Sequence, residues 1–78
     1  MKTYKITTTP MNEHILPASD YFNQTGLTPR GAYLLFEQAC NQFNLNDSVR
    51  FPLKGAASIC AGGRGYDYLV VMEPEQQD

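Results

Sequence analysis

The feature that most constrains this chain is the stretch Ala56–Glu73, AASICAGGRGYDYLVVME, which has the pattern of two strands joined by a glycine loop. Most residues of Tyr66–Met72 are β-branched or aromatic, the types that suit the pleated surface of a sheet. Between the two candidate strands, Gly62, Gly63 and Gly65 allow the backbone to turn at φ values that other residues avoid. The stretch therefore predicts a β-hairpin.

The length and composition of the chain predict one small folded domain. Its 78 residues are enough for a single domain, which we expect to span residues 1–78 with a frayed polar tail at 74–78. Hydrophobic residues make up 42% of the chain, so it has the means to form a core and we do not expect disorder. The net charge of −2 argues against both a strongly basic nucleic-acid binder and a highly acidic mimic of DNA.

Signals for export or membrane insertion are not evident in the sequence. The first residues, MKTYKITTT, have no apolar core of the secretory type, and the longest apolar run, Tyr68–Met72, is too short to span a membrane. The two cysteines, Cys40 and Cys60, do not form a Cys-x-x-Cys pair. We therefore expect a cytoplasmic protein with no membrane association, in which both cysteines are thiols.

The clearest helix signal covers Leu27–Phe43. Thr28 is a good N-cap residue, and Pro29 then falls at the first helical position, where its missing N–H is not needed. Asn44 can adopt the left-handed conformation that ends helices. Six apolar residues at steps of three and four form one stripe, which we expect to be buried: Ala32, Leu35, Phe36, Ala39, Cys40 and Phe43.

The region before the helix predicts one strand and then irregular structure. Lys2–Thr9 alternates as a half-buried strand does, and Pro10 stops it because proline has no N–H for the ladder. Met11–Leu16 is compatible with a single helical turn. Ser19 or Asp20 can cap a second short turn, and Asn23–Gly26 is expected to be a loop.

Together these elements predict an α+β fold. We expect a small antiparallel sheet of about three strands, made of the N-terminal strand and the C-terminal hairpin, with one main helix packed on one face. The hairpin strands should pair with each other, and the N-terminal strand should pair with one of them. A further short strand at Ser48–Phe51 would be limited to a sheet edge by Pro52.

The last predicted strand is apolar on both sides, which bears on function. One helix covers only one face of a sheet, so residues 11–26, a second subunit or a partner must cover the other. We expect the helix to cover the side of the strand that carries Leu69 and Val71. The charged residues that flank these two leave only a narrow apolar strip, which one helix can cover. The predicted partner-binding surface is then the opposite side, with Tyr66, Tyr68, Val70 and Met72, and Arg64 beside them in the glycine loop.

The run Cys60-Ala-Gly-Gly-Arg-Gly65 resembles the C-terminal strand-turn-strand of thiolases, where a Cys-x-Gly-Gly-x-Gly run carries an active-site cysteine. The resemblance implies a reactive thiol at Cys60, with Gly62, Gly63 and Gly65 as the matching glycines. It covers fewer than 20 of the 78 residues. The Gly-His-Pro motif of that family is missing, and the only histidine, His14, lies elsewhere.

No catalytic constellation or cofactor site can be assembled from the remaining residues. His14, Cys40 and Cys60 are too few and too scattered for a structural zinc site, which usually takes four ligands in two close pairs. The sequence shows no nucleophile paired with a base and no pair of carboxylates at helical spacing. We therefore expect a protein that is not an enzyme and holds neither a metal nor a cofactor.

The sequence thus predicts a small interaction protein, with a protein partner favoured and a homodimer as one form. A short chain of this kind suits a regulator or inhibitor, for example one carried by a phage or another mobile element. The alternative is a weak single-stranded nucleic-acid-binding module. Exposed aromatic rings beside basic residues can stack bases. The candidate basic residues are Arg50, Lys54 and Arg64, and the candidate rings near them are Phe51, Tyr66 and Tyr68.

Overall fold

One α-helix and one antiparallel sheet make up the fold in the computed structural model, which describes residues 2–52 and 58–75. The strands are β1 Tyr4–Pro10, β2 Gln24–Leu27, β3 Arg50–Pro52, β4 Ile59–Gly62 and β5 Tyr68–Pro74, and the helix α1 is Pro29–Gln42. The sheet has five strands in the order β2-β1-β5-β4-β3. The α+β class with one main helix is therefore found, but the prediction of about three strands is wrong.

The strand missing from the prediction is β2, which lies where a loop was expected. Its four residues show no alternation, and Gly26 has a positive φ of 69°. The segment becomes a strand through its pairing with β1, where Tyr4 lies opposite Leu27 and Ile6 opposite Gln24. The strand β3 was foreseen only as a possibility, and it lies at the other edge of the sheet, as Pro52 requires.

The predicted pairings of the other strands are confirmed. Strands β4 and β5 form the antiparallel hairpin, and β1 pairs with β5 along its length, from Tyr4 opposite Pro74 to Pro10 opposite Tyr68. Of the predicted tail, Pro74 ends β5 and the Glu75 N–H donates to the Thr3 carbonyl at 2.9 Å. Residues 76–78, and the hairpin lead-in at residues 53–57, lie outside the described residues.

The predicted start of the helix is confirmed. The Gly31 N–H donates to Thr28 Oγ1 at 3.0 Å, and Pro29 is the first helical residue. Leu27, which the predicted helical region Leu27–Phe43 included, belongs to β2 instead. At its other end, Asn44 has the expected left-handed conformation, with φ of 60°.

Replacing Thr28 with alanine should destabilise the protein by about 1 kcal/mol, because the Gly31 N–H loses the side-chain oxygen that caps the helix. Urea unfolding followed by far-UV circular dichroism measures the change. Thr28→Ser keeps the hydroxyl and is the control, with an expected midpoint near that of the wild type. A Thr28→Ala variant as stable as Thr28→Ser would contradict this role for the cap.

The helix packs on the side of β5 that carries Val70. Val70 and Ile6 of β1 are fully buried with Phe36 of the helix, and Met72 packs against the same core. The prediction that the helix covers Leu69 and Val71 is therefore wrong. The neighbouring strands explain why: β1 contributes Ile6 to the side of Val70, whereas it contributes only polar residues, Lys5, Thr7 and Thr9, to the side of Val71.

Candidate functional site

Three of the predicted partner-binding residues belong to the folded core or contact it. Val70 has no exposed surface, and Met72 is partly buried against the core. The ring of Tyr68 packs on Phe43 with 4.3 Å between the ring centroids, and its hydroxyl donates to the Leu16 carbonyl at 2.6 Å. Tyr68, Val70 and Met72 thus do not form a free surface in the folded protein.

The segment between β1 and β2 supplies part of this cover. It contains a 3₁₀ turn at Asp20–Phe22, where the Tyr21 N–H donates to Ser19 Oγ at 3.1 Å, as the predicted cap requires. The ring of Phe22 meets that of Phe43 edge-on at 5.3 Å between centroids. Residues 11–26 and the end of the helix therefore cover Tyr68 from within the chain.

The other two predicted residues, Tyr66 and Arg64, are exposed in the turn between β4 and β5. The Tyr66 N–H donates to the Gly63 carbonyl at 2.9 Å, and the Gly63 N–H donates to the Tyr68 carbonyl at 3.1 Å. These two hydrogen bonds fix the backbone conformation of the turn. The assignment of Tyr66 and Arg64 to partner binding remains a prediction.

The sheet face away from the helix is the one that no described element covers. One row of opposed residues crosses four strands of this face, with Phe51 opposite Cys60, Cys60 opposite Val71 and Val71 opposite Thr7. A second row runs along Thr9, Leu69 and Gly62. We call the open face the surface formed by the side chains of Lys5, Thr7, Thr9, Phe51, Cys60, Leu69, Val71 and Glu73.

The open face has an apolar centre and a polar border. Leu69, Val71 and Cys60 are half-buried by their neighbours, and the side chain of Phe51 is more exposed, at 52%. Exposed threonines of β1 border this centre on one side, and Lys5 lies opposite Glu73 at one end. An apolar centre within a polar rim is the arrangement found in protein interfaces.

Among the described residues proposed for nucleic-acid binding, the basic and aromatic side chains of β3 and β5 do not form one surface. Arg50 shares the helix side of the sheet with Ala61, and its Nη1 contacts Glu37 Oε2 at 2.7 Å. Phe51, the next residue, faces the opposite side, and the ring of Tyr68 packs on Phe43. Lys54 lies outside the described residues. The nucleic-acid hypothesis therefore gains no support from the geometry.

The two cysteines occupy separate parts of the fold. Cys60 is half-buried in β4, where it lies between Phe51 and Val71 on the open face, and Cys40 is buried in the core. Within residues 2–52 and 58–75, no three His, Cys, Asp or Glu side chains are grouped so as to hold a metal ion. Cys60 therefore forms part of the apolar centre of the open face.

The residues that sequence reasoning missed are those of the open face, above all Phe51 and Cys60. The apolar character of both sides of β5 did signal that two faces needed cover. The register that places Phe51 beside Cys60 depends on β3, a strand of three residues, and no local pattern specifies it.

The chain matches no protein-family model, and it has no significant match among curated proteins or among solved structures. The likeness to thiolases stays limited to the run from Cys60 to Gly65. In the described parts of the chain, no helix is both long enough and apolar enough to cross a membrane.

Proposed function

We propose that this chain is a small non-enzymatic interaction protein that acts as a regulator or inhibitor by binding a protein partner through the open face. The observation that carries the proposal is the apolar centre of that face, formed by Phe51, Cys60, Leu69 and Val71 and covered by no described element. An apolar patch on an uncovered sheet face is a candidate interaction site.

The dimensions of the open face suit the central part of an interface. Adjacent strands lie about 4.8 Å apart, so the row from Phe51 to Thr7 crosses roughly 14 Å of sheet. Residues on the same face of a strand are about 7 Å apart, so two rows of this width cover on the order of 100 Å², less than the roughly 800 Å² per partner of a standard interface. The apolar centre therefore accounts for only part of an interface, and the polar border of the open face and the residues around it must supply the rest.

The turn between β4 and β5 extends the surface beyond the apolar centre. A Cβ atom built on Gly63 would lie 3.8 Å from Leu69 Cδ1, which places the turn against the end of the open face. Tyr66 and Arg64 are exposed on this turn. Tyrosine and arginine are enriched at interfaces, so these two residues fit a rim position in the proposed site.

The rigidity of the open face favours binding. Leu69 and Val71 lie on β5, which is hydrogen-bonded to a neighbouring strand on each side. Because this backbone is already ordered and the side chain of valine has few rotamers, little conformational entropy is lost when a partner docks. Lys5 and Glu73 at one end place charges of both signs at the rim, where charges mainly select the partner and its orientation.

Replacing Val71 with glutamate should weaken partner binding by roughly tenfold or more, because the charge would be buried without a counter-ion at the centre of the interface. The measurement is quantitative mass spectrometry of proteins retained from source-cell extract on immobilised wild type and variants. Dissociation constants with the purified partner follow. Sedimentation velocity shows whether the partner is a second copy of the chain.

The matched control is Tyr33→Glu, which places the same charge at an exposed helix position on the other side of the molecule. Phe51→Asp, on an exposed side chain of the open face, provides a second test should Val71→Glu reduce stability. Circular dichroism confirms that each variant is folded. Equal retention of the same partner by the wild type, Tyr33→Glu and both open-face variants would rule out the proposed site.

A further inference from the structure

The segment that follows β1 buries little of its surface. Residues 11–18 contain no helix or strand, and we call them the strap. None of the strap residues is buried: Ile15 and Ala18 are half-buried, and Leu16 is 80% exposed. A segment with so few buried apolar contacts is expected to open more easily than the sheet beside it.

Two hydrogen bonds join the strap to the sheet within the described chain. The Met11 N–H donates to the Asp67 carbonyl at 2.8 Å, at the point where the strap leaves β1. The Tyr68 hydroxyl donates to the Leu16 carbonyl at 2.6 Å and holds the middle of the strap. The remaining hydrogen bonds of the strap lie within its own turn, so they do not fasten it to the sheet.

The residues that follow the strap are held by more hydrogen bonds. Thr8, which is buried in β1, donates from its backbone N–H to Asn23 Oδ1 and from its hydroxyl to the Phe22 carbonyl, both at 2.9 Å. The Tyr21 hydroxyl donates to Gln38 Oε1 at 2.5 Å, which joins the 3₁₀ turn to the helix. The strap therefore lies between two fixed points, the end of β1 and the 3₁₀ turn.

We propose that the strap opens as a unit while the sheet stays folded, and that the Tyr68 hydroxyl is the latch that keeps it closed over the Tyr68 ring. Tyr68 suits this role because its ring is fixed: it lies on β5, between β1 and β4, and it packs on Phe43 with 4.3 Å between the ring centroids. When the latch bond breaks, water hydrates the Leu16 carbonyl instead. One hydrogen bond then replaces another, so the net cost of opening is small.

Opening of the strap changes the surface that the protein presents. The Tyr68 ring ends a row of four aromatic rings, in which Tyr21 meets Phe22 at 5.1 Å, Phe22 meets Phe43 at 5.3 Å and Phe43 packs on Tyr68. Tyr68 is half-buried with the strap closed, and opening makes its ring and hydroxyl accessible. The strap thus regulates access to this end of the row. This site is separate from the open face, and the inference does not rest on the function proposed for that face.

Native-state hydrogen exchange followed by NMR tests the latch, with Tyr68→Phe and Tyr66→Phe as a matched pair. Tyr68→Phe keeps the ring and removes the latch, whereas Tyr66 is exposed in the adjacent turn and its hydroxyl makes no hydrogen bond in the described chain. Tyr68→Phe should speed exchange of the Met11 and Ile15 amides roughly fivefold, the factor that corresponds to one ordinary hydrogen bond. Equal exchange at these amides in the two variants would overturn the role of the latch.

The same measurement tests whether the strap opens independently of the sheet. In the wild type, the Met11 and Ile15 amides should exchange faster than the Val70 amide of β5 and slower than amides of an unfolded peptide. Thr28→Ala destabilises the whole fold but leaves the strap contacts intact, so it should speed exchange at Val70 and not in the strap. Strap amides that exchange at the rate of Val70, or at the unfolded rate, would overturn the proposal.

Acetylation by N-acetylimidazole, mapped by mass spectrometry, tests whether opening uncovers Tyr68. The reagent modifies accessible tyrosine hydroxyls, so the closed strap should make Tyr68 react more slowly than Tyr66. Ile15→Ser removes the half-buried apolar side chain of the strap. It should speed the acetylation of Tyr68 by the factor by which it speeds exchange at Met11, with Tyr66 unchanged. Equal reactivity of the two tyrosines in the wild type would overturn the proposal.

Discussion

Replacing Phe36 with alanine is expected to cost about 3–5 kcal/mol of folding free energy, the largest loss expected of any single substitution considered for this protein. Phe36 is the largest of the fully buried side chains and has no exposed surface. Its loss removes apolar contacts and leaves a cavity beneath the helix. At about 0.05–0.15 kcal/mol per residue, a chain of 78 residues has roughly 4–12 kcal/mol of stability in total, so the loss is a large share of it.

The measurement for Phe36→Ala is urea unfolding followed by far-UV circular dichroism. Tyr33→Ala removes an aromatic ring from the exposed part of the same helix and is the control, with an expected loss on the order of 1 kcal/mol or less. A Phe36→Ala variant with the unfolding midpoint of the wild type would show that the helix does not pack on the sheet as described.

Replacing Gly62 with alanine is expected to have the second large effect. Gly62 has φ of +89°, and a Cβ atom there would lie 2.2 Å from the carbonyl oxygen of Tyr68, a backbone atom that has little freedom to move. Backbone strain at such a φ costs about 1–3 kcal/mol before the clash is counted. Relief of the clash would shift the carbonyl that accepts the Gly63 N–H at 3.1 Å, so the turn between β4 and β5 would open.

The control for Gly62→Ala is Gly65→Ala, which has the same φ of +89° but no atom within 4 Å of its Cβ position. Both variants carry the backbone strain, and only the first carries the clash. The difference between their unfolding free energies, measured in urea, therefore reports the close approach of Tyr68. Equal losses in the two variants would mean that the strands are not as close at Gly62 as the structure shows.

The sequence by itself determined the elements whose signals are local. The cap at Thr28 and the proline after it define where α1 begins, and the apolar steps identify Leu35 and Phe36 as core. The glycines between residues 62 and 65 likewise identified the turn of the hairpin, because positive φ strongly favours glycine. Each of these features depends on the conformational preferences of residues that are close in the chain.

Tertiary structure alone decided the width of the sheet. The segment Gln24–Leu27 lacks the alternation of a strand, has a single β-branched residue, Thr25, and contains a glycine at positive φ. It becomes β2 because β1, folded between it and β5, presents an edge that needs hydrogen-bond partners. Strand β2 therefore has no signal in the sequence.

Tertiary structure also decided which face of the sheet is open. Val70 and Val71 are chemically identical neighbours, and alternation along β5 says only that they face opposite sides. The choice depends on what β1 and β4 place beside them: Ile6, Thr8 and Ala61 share the side of Val70, which the helix covers. Which face the helix covers is decided by side-chain pairs between strands that are distant in sequence. The candidate surface therefore shifted from Tyr68 and Val70 to Val71 and its neighbours once the strand register was known.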